Sequence, residues 1–284
     1  MGKNQSLISK HAKSFNWAGF FLSKKTFRKC SVLYDFCRTI DDIADEDGQL
    51  DVKKNKFLEF KSEFKNKNLS NDIIKNIHGL LEEEDISHKI VNDLFDGVES
   101  DLKSEVNINT KKDLLIYSYQ VAGTVGLMMA KILKVKDRES LRCSIDLGVA
   151  MQLTNIARDV IEDKKKNRAY IKADFNSISE TIFLADLFYQ SAFPAIKNIP
   201  IFSRFAILVA RRIYKRIGYE ILSKKNIGAY NNAGKIYVSV SSKVIETFLT
   251  FFDFIKLFFT DSIKQEKQNE RIMLHKEINL DERV

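Results

Sequence analysis

Asp41 and Asp45 stand four residues apart in the run Arg38-Thr39-Ile40-Asp41-Asp42-Ile43-Ala44-Asp45. Asp159 and Asp163 repeat that spacing in Gln152-Leu153-Thr154-Asn155-Ile156-Ala157-Arg158-Asp159-Val160-Ile161-Glu162-Asp163. On a helix, residues four apart share a face, and like charges so placed cost an isolated helix about 0.2–0.5 kcal/mol. A bound cation would reverse that penalty. Asn155 lies one turn before Asp159, and Gln152 a turn before that, so the second run is a polar stripe of Gln, Asn, Asp and Asp opposite apolar Leu153, Ile156 and Val160. Carboxylates plus an amide form an oxygen donor set that suits Mg²⁺, or Mn²⁺ in its place, rather than zinc. Mg²⁺ is usually held by one or two carboxylates and keeps positions for water and substrate phosphate. Two facing stripes would hold several ions and clamp a diphosphate. The ordinary reading of a single such pair is a solvated helix face. Two pairs, each in an otherwise apolar helix, weigh against it.

Both stripes need long helices to carry them. The 284 residues include only 2 Pro and 11 Gly, so the strongest helix breaker is almost absent and a turn-rich β fold is disfavoured. Apolar residues at three- and four-residue steps predict a helix over about 26–47, where Val32, Leu33, Phe36, Ile40 and Ile43 recur. Further helices are expected over 53–66, over 71–95 with a break near His78-Gly79, and over 110–133, 137–163, 178–193, 201–225 and 235–260. The small-residue centre Val121-Ala122-Gly123-Thr124-Val125-Gly126 predicts close packing or a kink. No repeat, low-complexity tract or linker interrupts the pattern, so one all-α domain over residues 1–284 is expected.

Composition bounds the function. The net charge of +8 suggests an anionic partner. Three cysteines, Cys30, Cys37 and Cys143, are too few and scattered for a disulfide framework or zinc site and fit a reducing compartment. The N-terminus lacks an apolar signal core, and no run of 18 apolar residues occurs. A cytoplasmic protein is expected.

The two aspartate runs, starting at Tyr34 in the first and Gly148 in the second and followed by Asn167-Arg168-Ala169-Tyr170-Ile171, resemble the motifs of the squalene/phytoene synthase family. His11-Ala12-Lys13-Ser14-Phe15 is similar to its N-terminal element, and the run from Tyr117 to Ala130 to its central glycine-containing helix. Four motifs in family order cover residues 11–171. The runs around Val121 and Gln152, and Ile213 to Ile221 with Gly228-Ala229-Tyr230, look most like bacterial phytoene synthases.

The resemblance implies an isoprenoid synthase fold, a single helical bundle around a central apolar cavity. It implies head-to-head condensation of two geranylgeranyl diphosphates to phytoene through a cyclopropyl diphosphate, with the C15 substrate farnesyl diphosphate as the rival. Mg²⁺ would be held by Asp41, Asp45, Asn155, Asp159 and Asp163. His11, Lys13, Ser14, Arg38, Gln152, Arg158, Arg168 and Tyr170 would bind diphosphate, while Tyr34 and Tyr117 would stabilise cations or orient the leaving group. NADPH is not expected if phytoene is the product. Phe15, Val121, Val125, Leu147 and Met151 are candidate walls of a dry cavity, and Gly19 would leave room for a long chain. Ala12 stands where the family often has serine, and Lys235 where arginine is common; Lys keeps the charge but loses the bidentate fork.

Other features carry less. His78, His88 and His275 lack partners at metal-ligand spacing and are expected at the surface. Six phenylalanines in residues 248–259 fit core packing or, near Lys243, Lys256, Lys264 and Lys267, peripheral contact with the inner face of the cell membrane. No nucleic-acid recognition motif accompanies the basic charge, so nucleic acid is not an expected partner.

Overall fold

Ser23 opens α1 (Lys24–Asp45): its hydroxyl accepts the Thr26 N–H at 3.1 Å, satisfying one orphan donor of the first turn. The computed structural model, which describes residues 17–260 and 269–284, shows that this helix buries Leu33, Phe36, Ile40 and Ala44 and leaves Arg38, Asp41 and Asp45 along another face. Helix α2 (Leu50–Lys65) brings Phe60 and Phe64 against Phe36, and Phe95 joins all three and Phe57, so that rings pack 5.4–6.4 Å apart in an aromatic core.

The expected break at His78-Gly79 lies elsewhere. Helix α3 (Asp72–Glu83) runs straight through Gly79, and the chain turns at Asp85, which adopts a left-handed φ of 52°. Ser87 then caps α4 (His88–Ser100), accepting the Lys89 N–H at 3.3 Å. His88 is exposed as expected. His78 is not: it is buried, stacks on Phe64 and bonds the Phe64 carbonyl at 2.9 Å. His275 is half-buried against Asp146.

The predicted helix 110–133 forms as α5 (Lys111–Ser118), a π-helical turn (Tyr119–Gly123) and α6 (Thr124–Ile132). Its small residues serve both expected purposes. The π turn inserts one extra residue into the helical ladder. Beyond it, a Cβ on Gly126 would collide with the Ser144 carbonyl, and one on Gly148 with the Ala122 carbonyl. The backbone of α7 (Arg138–Lys165) therefore lies directly against this segment.

α7 is the spine of the molecule. Asp137 caps it by accepting the Glu139 and Ser140 N–H groups. It packs on α6, on α8 (Phe175–Ala192) and on α9 (Ile201–Leu222), with a 3₁₀ turn, Pro194–Asn198, joining the last two. Short α10 (Ile227–Asn232), α11 (Val240–Phe258) and α12 (Asn269–Glu277) complete the described helices. Two tiny strands, β1 (Val106–Asn107) and β2 (Arg168–Ala169), pair in parallel with Val106 opposite Arg168. The architecture is all-α, as expected.

Candidate active site

α1 and α7 face each other across a mouth. From α1 come Arg38, Asp41 and Asp45; from α7 come Gln152, Asn155, Arg158, Asp159 and Asp163. β2 supplies Arg168, with Tyr170 two residues on, and α5 supplies Tyr117. Together they line a polar pocket of about 240 Å³. Asp41, Val121, Gln152 and Asn155 also line a second, apolar cavity of about 290 Å³ that continues inward. Its walls include Tyr34, Val125, Leu147, Met151 and Tyr214, and its inner end is formed by Ala192, Ala195, Ile196 and Ile199.

The structure thus gathers Tyr34, Tyr117 and every described diphosphate- and metal-site residue named above. His11, Lys13, Ser14 and Phe15 lie outside the described residues. Gly19 is not at the wall: a Cβ there would overlap the Phe27 ring, so the glycine serves that packing contact rather than substrate room.

The four motif aspartates fall into two kinds. Asp45 accepts Arg168 Nη1 at 2.7 Å and pairs with Lys166 at 3.0 Å. Burial pushes its carboxyl up, but these two cations outweigh it and hold the pKa below the usual range. Asp159 takes a bidentate contact from Arg158, at 2.8 and 2.5 Å, and Lys235 lies 3.5 Å away while also pairing with Glu162. Asp41 and Asp163 have no ion-pair partner among the described residues. Asp41 keeps solvent contact at the mouth yet lies deep among protein atoms; this desolvation, then the nearby Asp45 carboxylate, pushes it up to about 7. Burial and neighbouring Asp159 do the same to Asp163, also to about 7.

Two polar atoms point the same way. Asn155 Oδ1, an acceptor, and Arg38 Nε, a donor, are buried without a hydrogen-bond partner among the described residues. The rest of the Arg38 guanidinium pairs with Asp42 at 2.5 Å. A buried unpaired polar atom costs about 1–3 kcal/mol. A cation beside Asn155, Asp41 and Asp163, and an anion beside Arg38, would remove these costs. Among the described residues no three His, Cys, Asp or Glu side chains converge on one point as a ready-made metal site. Any ion here must therefore draw ligands from water or a bound anion, the usual habit of Mg²⁺. The donor chemistry fits that metal.

One residue escaped the sequence reading. Asp101, just past α4, accepts the hydroxyls of Tyr117 and Tyr170 at 2.7 Å each, and the two rings stack 4.7 Å apart. Burial pushes the Asp101 carboxyl up despite Arg168 and these hydrogen bonds. It lies past the end of α4 rather than on a helix face, so helical spacing gives no sign of its role. The β1–β2 pairing that delivers Arg168 and Tyr170 was likewise invisible: two residues are too few to show alternation. Asn167, at a left-handed φ of 57°, turns the chain from α7 into β2.

The family model for squalene/phytoene synthase matches residues 8–177. The 15-cis-phytoene synthase of Pantoea ananas is 28% identical over 243 residues, covering 74% of this chain and 78% of that protein. The 15-cis-phytoene synthase of Paracoccus sp. (strain N81106) is 37% identical over a shorter stretch, covering 45% of this chain and 48% of that one. Among solved structures, a dehydrosqualene synthase with a bound ligand superposes with a TM-score of 0.73 at 26% identity, covering 88% of this chain and 94% of that one. A squalene synthase from Alicyclobacillus acidocaldarius shares the fold, with a TM-score of 0.64 at 17% identity, covering 77% and 91%.

Proposed function

The chain belongs to the squalene/phytoene synthase family and has the isoprenoid synthase fold, and from that premise we propose that it joins two molecules of geranylgeranyl diphosphate head to head into phytoene through a cyclopropyl diphosphate. The observation that carries this reading is the continuity of the two pockets: a mouth of carboxylates and guanidinium groups opens into an apolar cavity through Asp41, Val121, Gln152 and Asn155. The mouth suits a diphosphate and the cavity suits the prenyl chains. The phytoene synthase relatives support the C20 choice.

Mg²⁺, held by Asp41, Asp45, Asn155, Asp159 and Asp163, would supply Lewis-acid neutralisation of the departing diphosphate. Arg38, Arg158 and Arg168 would donate hydrogen bonds to phosphate oxygens, charge-assisted and therefore strong. Gln152 lies at the neck, where the diphosphate and the first carbons of the chain meet. Loss of the first diphosphate leaves an allylic cation; the double bond of the second substrate attacks it, and proton loss closes the cyclopropane. Departure of the second diphosphate, rearrangement and a further proton loss give phytoene, with no reductant consumed. The cavity walls would keep water from the cations. Tyr34 and Tyr214, which line that wall, would stabilise positive charge there through their rings. Tyr117 belongs instead to the mouth, tied with Tyr170 to Asp101.

The dehydrosqualene synthase neighbour favours a second reading, the C15 condensation of farnesyl diphosphate. Purified protein with Mg²⁺ and either C15 or C20 diphosphate, with and without NADPH, followed by product mass analysis, separates the two. A C40 hydrocarbon from the C20 substrate without NADPH is expected. A C30 product alone would select the second reading, and no hydrocarbon from either would defeat both.

A further inference from the structure

The π-helical turn carries the neck of the site. Val121, in its middle, lines both the polar mouth and the apolar cavity, and Ala122 beside it lines the cavity. The turn therefore stands at the border between the wet half of the site and the dry half. A π turn departs from the ordinary helical ladder and recurs at functional sites. The contacts that fix it here come from behind, away from both pockets.

α4 backs the turn without slack: a Cβ on Gly97 would overlap the Gln120 and Val121 side chains. One helical turn earlier, Asp93 accepts the hydroxyl of Tyr119, the first residue of the π turn, at 2.5 Å. Tyr119 is buried, and its ring lies over Gly123, the last residue of the turn, where a Cβ would strike it. One phenol thus spans the turn from end to end. Asp93 is held in its place by Arg283, 190 residues away, whose Nε and Nη2 take the two carboxylate oxygens at 2.5 and 2.9 Å. Such a bidentate, charge-assisted fork fixes the carboxylate in one orientation. The remaining nitrogen, Nη1, donates to the Asn279 carbonyl at 3.0 Å. The segment bearing Arg283 is anchored independently, by buried Leu280 and by Glu282, which pairs with Lys89 at 3.0 Å. The fork is not needed to hold that segment down; what it orients is the acceptor of Tyr119. Asp93, Tyr119 and Arg283 line neither pocket, so any effect they have on substrate passes through the turn.

We propose that Arg283, Asp93 and Tyr119 are positioning residues that hold the π turn in place and so seal the neck between mouth and cavity. The chemical consequence rests on the proposed function. The carbocations of that reaction form beyond the seal, where water would capture them. In such a capture a water oxygen bonds the cationic carbon and a proton passes to bulk water, leaving a prenyl alcohol in place of hydrocarbon. A slackened turn admits water at Val121 while leaving the diphosphate-binding groups of the mouth untouched.

Product analysis with Mg²⁺ and whichever of the C15 and C20 diphosphates is consumed, alongside amide hydrogen exchange, tests the proposal. Arg283→Ala and Tyr119→Phe should each raise the share of prenyl alcohol among the products about fivefold or more, with the Michaelis constant near wild type. A merely destabilised enzyme loses active molecules, which lowers alcohol and hydrocarbon alike and leaves their ratio where it was. Arg283→Lys, which keeps the charge and loses the fork, should fall between wild type and Arg283→Ala. The double variant should do no more than the larger single change, because the two residues act in series. Amide exchange over residues 119–126 should quicken about tenfold in Arg283→Ala while α8 exchanges as in wild type. The proposal is overturned if the alcohol share stays at the wild-type value in both single variants, or if the double variant multiplies their effects. It is also overturned if exchange over 119–126 is unchanged, or rises equally in α8. If wild-type protein consumes neither prenyl diphosphate, the enzymatic reading falls; faster exchange confined to 119–126 would still uphold the clamp on the turn.

Discussion

One helix, α7, carries a desolvated acid toward each end, Asp146 fully buried and Asp163 half-buried, and treats the two in opposite ways. Near its start, Asp146 is fully buried and saturated: it accepts Arg271 at 2.6 Å, His275 at 2.7 Å and the Ser191 hydroxyl at 2.9 Å. Burial pushes this carboxyl up, but His275 and Arg271 outweigh it and hold the pKa below the ordinary range. Near its end, roughly 25 Å further along at 1.5 Å per residue, Asp163 has no cation partner among the described residues and is pushed up to about 7. The fold can neutralise a buried carboxylate where it has no other task. That it leaves Asp163, and Asp41 opposite, unneutralised marks the mouth as a place where local stability yields to binding.

The sharpest way to break the contrast is to remove one acid from each end. Asp41→Ala should lower turnover about a thousandfold, a loss of roughly 4 kcal/mol of transition-state stabilisation, with the melting temperature unchanged or raised. Product formation under saturating Mg²⁺ and a thermal melt read both. Asp146→Ala should do the reverse, costing about 3–5 kcal/mol of stability by breaking the pairs of a fully buried carboxylate and leaving half-buried Arg271 with Glu139 alone, while the folded fraction keeps near-normal specific activity. If Asp146→Ala spares stability and destroys activity, the two ends are not different in kind.

Between them lies the crossing of α7 with α6. Gly148→Ala must push the Ala122 carbonyl away and should cost about 1–3 kcal/mol, measured by urea unfolding. It should also impair turnover, because the displaced segment carries Val121 and Val125 of the cavity wall.

The two ends should also answer pH with opposite sign. Asp41 and Asp163 have folded pKa values raised to about 7, so in Mg²⁺-free protein their contribution to stability is full below about pH 4 and is lost as pH rises toward 7. Asp146 is depressed, so its contribution is present above about pH 4 and is lost as pH falls through its folded value. Melts of Asp163→Asn without divalent ions should lose part of the decline between about pH 4 and 7; an unchanged decline would refute the assignment. The smallest effect belongs to Lys235→Ala. Its exposed pairs with Glu162 and Asp159 are worth at most about 1 kcal/mol, so stability should scarcely move while the Michaelis constant for diphosphate substrate rises a few-fold.

Local pattern and long-range packing divide what the sequence discloses. Periodicity reveals the carrier helices of both aspartate stripes, since a stripe at four-residue spacing is visible within a dozen residues. Asp101 acquires its setting from Tyr117 and Tyr170, 16 and 69 residues away, and no local signal announces that. His78 reads as a surface residue until Phe64, 14 residues earlier, is seen to cover it. The phenylalanines of α11 show periodicity but not direction: a stripe of rings looks the same whether it faces a core or a solvent, and only the ion pairs to Arg212 reveal which way the helix is turned. Gly19, read as space for substrate, turns out to be space for Phe27.

The pairing of Asp45 with Arg168 and Lys166, and of Asp159 with Arg158 and Lys235, has a thermodynamic corollary for the proposed reaction. A divalent ion drawn to Asp45 releases Arg168, which is then free for an anion; an anion drawn to Arg168 releases Asp45 for an ion. Each arrival removes the competitor of the other, so each should raise the other's affinity by the same factor, as reciprocal linkage requires. The mouth would thus act as a coincidence detector, holding metal and diphosphate weakly apart and tightly together.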